Sequence, residues 1–155
     1  MQEEKILKFK INRILANSID ALVVFVLFWA CFIFPFINFL NDALTGSFNA
    51  TYFTVMIIAA AGGLSLGIIY LFVSPIILNN ATCGLKINGL RFENVDKTPI
   101  RKRQLLWRAF FSVILVVFSC GLSVFAEIFS VILSEQGREF YDYFTGVRVV
   151  NYDLN

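Results

Sequence analysis

At 155 residues, 58% hydrophobic and 15% charged, the chain falls outside the composition of a soluble domain, where about a quarter of residues are charged. Its mean hydropathy of +0.74 points to a membrane protein. A formal charge of +2 is too small to suggest nucleic acid as a partner, there is no aromatic-basic stacking motif, and the absence of histidine removes the commonest metal ligand and proton shuttle. The cysteines Cys31, Cys83 and Cys120 show neither CxxC spacing nor an even count, so they read as small hydrophobes, and no metal or cofactor is expected.

Residues 1–12 mix Lys5, Lys8 and Lys10 with Ile6, Leu7, Phe9 and Ile11, an amphipathic lead suited to a membrane surface. The mixed charge of its start, and an apolar run too long for a signal-peptide core, predict that it remains as an anchor. Helix one is read over 13–40. Arg13 and Asp20 lie seven residues apart, two helical turns, so they share a face with Ala16 and Asn17 between them. The stretch Ala21–Leu40 has no charge and is long enough to cross a hydrocarbon core of about 30 Å. Asp20 therefore sits where an unpaired carboxylate costs about 2.5–3.5 kcal/mol or more, and it needs a partner. Pro35 is placed to kink the far end.

Residues 41–49 form a polar turn without Lys or Arg, and a second apolar helix is predicted over 50–78. Ala59, Gly63 and Gly67, four apart, give it a small-residue face for close helix packing, either on helix one or on a second copy. The polar loop 79–108 follows. Within it Leu85–Phe92 alternates like a strand, with a change of parity at Gly89 that suggests a bulge or break. Residues 94–99 read as a turn. The basic run Arg101-Lys102-Arg103 then leads to Arg108 and more apolar sequence.

Four of the thirteen Lys and Arg lie in residues 1–15 and seven in 79–108, with none between the first two helices. The positive-inside rule then places the N-terminus and the 79–108 loop in the cytoplasm of a multi-pass cell-membrane protein. The third apolar region, 109–133, is either one span or a hairpin broken near Ser119-Cys120-Gly121 that returns the tail, 134–155, to the cytoplasm. Glu127 disfavours a plain lipid-facing helix. The strand-like 146–152 segment needs a partner, which the 85–92 stretch can supply, and this favours the hairpin. The expected fold is thus an all-α membrane protein, a single domain over 1–155, with a small cytoplasmic β element.

The order of motifs resembles the RDD family of membrane proteins. Arg13-x-x-Ala16-x-x-Ile19-Asp20, Thr82-Cys83-Gly84-Leu85-Lys86-Ile87-Asn88-Gly89-Leu90-Arg91, Arg108, and Arg138-Glu139-Phe140-Tyr141-Asp142-Tyr143-Phe144-Thr145-Gly146-Val147 stand in matching order over nearly the whole chain. The residues for which the family is named match Arg13, Asp20 and Asp142. Cys83 stands where a small residue is more usual, and Gly146-Val147-Arg148 where Gly-Thr-Val is frequent. The resemblance implies transport of an unidentified ligand or, as in some members, sodium/proton exchange.

From the residues themselves, Arg13, Asp20, Arg138 and Asp142 are expected to form one charge cluster, with Arg13 and Arg138 as partners for Asp20. Asn17, Glu127 and Arg108 are its accessories. Such a cluster either pins the tail to helix one or binds a cation or proton. No nucleophile–base pair, Walker loop or metal spacing is present, so an enzyme is not expected. Two functions are open: transport of an ion or unidentified ligand, which needs a homo-oligomer or a partner membrane protein to enclose a path, or a non-transporting scaffold that docks a partner. The bilayer itself is the other expected partner.

Overall fold

The structure, a computed structural model, describes residues 2–46, 49–119, 123–134 and 138–151. Among the described residues eight elements occur in order: α1 Gln2–Thr45, α2 Ala50–Ile77, α3 Cys83–Ile87, β1 Leu90–Asn94, α4 Lys102–Phe118, α5 Ser123–Leu133, α6 Phe140–Thr145 and β2 Val147–Asn151. The contacts divide the chain into two compact units, one of residues 1–20 with 71–155 and one of residues 21–70.

The 21–70 unit is a helical hairpin. Its apolar faces stay open, with Phe34 and Ile58 73% and 66% exposed. A soluble core helix would bury such residues; these suit a hydrocarbon surrounding. Among the described residues α1 and α2 are the two helices long and apolar enough to cross a membrane. They approach closely through the small-residue face of α2. A Cβ built on Gly63 would stand 3.0 Å from the Phe28 backbone, and one on Gly67 would stand 2.8 Å from a Val24 methyl. Phe39 and Phe53 meet further along, ring centroids 6.0 Å apart.

The other unit is built around a small sheet. β1 and β2 pair antiparallel, Leu90 opposite Asn151 and Asn94 opposite Val147. The strands turn Leu90, Phe92, Val147 and Val149 inward, where they join Ala16 of α1, Ala81, Leu85 and Leu105 in one core. On the outer face Arg148 and Glu93 are direct cross-strand partners, and the Arg148 Nη2 donates to Glu93 Oε2 at 2.6 Å.

Several bounds differ from expectation for local reasons. The amphipathic lead and helix one are a single helix. The stretch expected to be a strand over Leu85–Phe92 is helical at first. Thr82 caps α3, its hydroxyl accepting from Leu85 N at 3.3 Å, and the chain becomes a strand only after Gly89, whose φ is 66°. Four residues of alternation are too few to separate a period of 2 from one of 3.6. Among its described residues the third apolar region holds two helices, α4 and α5. The eleven residues of α5 rise only about 16 Å, too little to span. The expected break reaches Ser119; Cys120 and Gly121 lie outside the described residues, as does the last residue of the 146–152 segment. The tail does return, since β2 pairs with β1 and thus lies beside the basic loop.

Candidate functional site

On α1 the buried positions are Arg13, Ala16 and Asp20, with Asn17 half-buried beside them, which is the face defined by their spacing. Two polar constellations grow from that face, both within the 1–20/71–155 unit.

The first joins α1, α4 and α6. Arg13 is 1% exposed, and Glu139 and Asp142 are fully buried. The Arg13 Nη2 donates to Asp142 Oδ2 and lies 3.3 Å from Glu139 Oε2. From α4, Arg108 Nη2 donates to Glu139 Oε2 at 2.7 Å while its Nε donates to Asp142 Oδ1 at 2.8 Å. Asn17 donates to the other Glu139 oxygen at 2.6 Å. Two cations thus face two anions, and each carboxylate serves both arginines. Arg108 is further held between two rings, 4.2 Å from the Phe92 centroid and 4.7 Å from that of Tyr141.

Local sequence explains how α6 presents its carboxylates. Glu139 is the N-cap residue and Asp142 the third residue of the helix, so the Asp142 carboxylate can accept from the Glu139 backbone N at 3.2 Å. Gly146 ends the helix at φ 65°, a left-handed conformation that turns the chain directly into β2. Burial pushes the Glu139 carboxyl up, but Arg13 and Arg108, helped by hydrogen bonding from Asn17, outweigh it and hold it at about 2.

The second constellation belongs to Asp20. Its Oδ2 accepts from the Thr82 hydroxyl at 2.5 Å and its Oδ1 from Gly84 N at 2.9 Å, so the carboxylate seals the first turn of α3. Gly84 sits directly against α1. A Cβ there would run into the Ala16 carbonyl and come within 3.0 Å of the Asp20 carboxyl carbon. A cavity of about 30 Å³, lined by Thr82, Arg108 and Ser112 among apolar neighbours, touches one member of each constellation and has room for a water.

Of the four expected cluster members, the structure brings Arg13 and Asp142 together. Asp20 accepts from Thr82 and Gly84. Arg138 precedes α6, its guanidinium carbon 5.7 Å from the Tyr143 ring centroid. Arg108, expected as an accessory, is a central member, and Asn17 is an accessory as expected. Glu127 lies in α5 near enough to feel the charges of Glu139 and Arg108, and its buried Oε1 has no hydrogen-bond partner among the described residues. Glu139 escaped sequence reasoning because Glu is not among the residues that usually mark an N-cap, and its pairing with Asp142 in a capping box is visible only in the fold. Thr82 carried the N-cap signal ahead of Gly84. Among the described residues no group of three or more acidic, Cys or His side chains could hold a metal ion.

Two exposed apolar helices and a small, ion-clamped α/β unit define an α-helical membrane protein. The RDD family model matches residues 10–146, and the chain belongs to the RDD family. No match was found among curated proteins or solved structures.

Proposed function

We propose that the protein is a cation- or proton-linked membrane transport protein, or a subunit of one, in which Glu127 is the group that takes up the ion. The carrying observation is that the buried Glu127 Oε1 has no hydrogen-bond partner among the described residues. The Arg13, Arg108, Glu139 and Asp142 charges cancel among themselves, two against two. Glu127 is the surplus anion beside them, and a buried carboxylate oxygen of that kind is relieved by a proton or a cation. The balanced cluster is the frame, pinning the tail to α1 and α4. Asp20 belongs to the frame as well, since its carboxylate is committed to α3. No catalytic step is proposed.

Two spans cannot enclose a path, so transport requires a homo-oligomer or a partner membrane protein. We place the protein in the cell membrane with the N-terminus, the 79–108 loop and the tail in the cytoplasm, on the distribution of Lys and Arg. Labelling of an engineered C-terminal cysteine from the outside only would refute that orientation.

Flux of protons, sodium and potassium into proteoliposomes tests the function. The unsubstituted protein is expected to exceed empty vesicles for at least one cation, and Glu127→Gln to remove that flux at an unchanged unfolding temperature. No flux with any of the three, or full flux in Glu127→Gln, overturns the reading. The self-satisfied cluster and the open apolar faces favour a second reading, a non-transporting scaffold. It predicts co-purification of a membrane partner and no flux.

A further inference from the structure

Arg101 immediately precedes α4, Lys102 and Arg103 open it, and all three are exposed. Among the described residues none of the three is in an ion pair, and α4 has no acidic residue in its first turn. Their side chains are therefore not compensated by any carboxylate of the described residues. Beyond them the helix changes character. Leu106, Trp107 and Phe110 lie three, four and seven residues after Arg103, on one face, and are 38%, 44% and 42% exposed.

Along this face the chain changes from cationic to amphipathic aromatic to apolar over a rise of about 10 Å. A bilayer leaflet changes in the same order over a similar depth, from phosphate through the interfacial belt where Trp settles to hydrocarbon. A purely topological role for the basic run requires only positive charge in the loop. It does not require Trp107 and Phe110 to be left open one and two turns further along the same face. Water is a poor neighbour for that face, and zwitterionic lipid brings the three cations no net counter-charge.

We propose that this face of α4 seats an anionic phospholipid, its phosphate at Arg101–Arg103 and its acyl chain along Trp107 and Phe110. The site lies on the side of the molecule that carries the β1–β2 sheet and is independent of the transport reading. A lipid held there abuts the helix that supplies Arg108 to the clamp.

Trp29 and Trp107 are the two tryptophans of the chain, so Trp29→Phe leaves Trp107 as the sole reporter. That variant is placed in phosphatidylcholine nanodiscs containing a small fraction of phosphatidylglycerol, with bromine on the acyl chains of one lipid or the other. At equal mole fraction, brominated phosphatidylglycerol is expected to quench Trp107 at least about twofold more than brominated phosphatidylcholine, as local enrichment by three cations requires. Replacing Arg101, Lys102 and Arg103 together by Gln is expected to bring the ratio to one. Salt at about 1 M, where the Debye length falls to about 3 Å, should do the same without any substitution. Equal quenching by both lipids overturns the proposal. So does a ratio that survives both charge removal and salt, and so does absence of quenching by either lipid, which would mean that protein covers the face.

Discussion

The substitution Asp142→Asn isolates charge from shape. The Asn amide keeps the volume of the carboxylate, and its oxygen can still accept from the Glu139 backbone N. In the native cluster, however, Oδ2 takes Arg13 and Oδ1 takes Arg108. One of those positions must become an NH₂ group, which sets donor against donor and leaves two buried guanidinium groups with one carboxylate. Removing one partner of a buried ion pair costs about 3–5 kcal/mol. Against a total stability of typically about 5–15 kcal/mol this is a large fraction. At about 2–4 °C per kcal/mol for a chain of this size, the unfolding temperature should fall by roughly 6–20 °C. Thermal unfolding in nanodiscs measures it. The sharper test adds Arg13→Met, which restores one cation to one anion. The double variant should then be less destabilised than the sum of the singles, by about 0.5–3 kcal/mol. A single-variant loss below about 1 kcal/mol, or strict additivity, refutes the clamp.

Three further outcomes are expected from the same geometry. Gly84→Ala forces a methyl into the Ala16 carbonyl and should cost about 1–3 kcal/mol, whereas Gly62→Ala, which meets nothing within 4 Å, should leave the unfolding temperature unchanged or slightly raised. Thr82→Val keeps the shape but removes the cap of α3 and one hydrogen bond to Asp20, a loss of about 1–3 kcal/mol readable in the same assay. Because the Glu139 carboxyl is held down at about 2, its contribution is complete above the ordinary carboxyl range and is lost as the pH falls from that range toward 2. A Glu139→Gln variant should therefore show a flatter acid limb in a plot of stability against pH, and an acid limb as steep as that of the unsubstituted protein would contradict the assignment.

Much of the site can be read from spacing. Helical periodicity places Arg13, Ala16, Asn17 and Asp20 on one face, and the structure uses that face. The two spans follow from uninterrupted apolar length, and the return of the tail from its need for a strand partner. The identity of the partners is less accessible. Glu139 and Arg108 are separated from Arg13 by more than ninety residues, and nothing local distinguishes a carboxylate that meets α1 from one in solvent. For Asp20 the missed partner is a backbone N–H, which nearly every sequence position carries. The Leu85–Ile87 turn reads as a strand because its alternation is short, and a capping threonine overrides it. Glu127 can be suspected from its apolar surroundings, but only the fold shows that one of its oxygens is left over.

The order in which the clamp is assembled is set by where its members lie along the chain. Arg13 and Asp142 are 129 residues apart, and both carboxylates, together with the strand that closes the sheet, come after the two spans. A ribosome therefore delivers Arg13 long before its counter-ions. While the tail is still being made, Arg13 can stay solvated at the membrane surface, and the unit cannot close around it. Closure of the sheet and neutralisation of Arg13 are then late events of biogenesis. A nascent or truncated chain lacking residues 139–151 would keep its spans but present an open, positively charged end, a clear mark of incompleteness for the machinery that inspects newly inserted proteins.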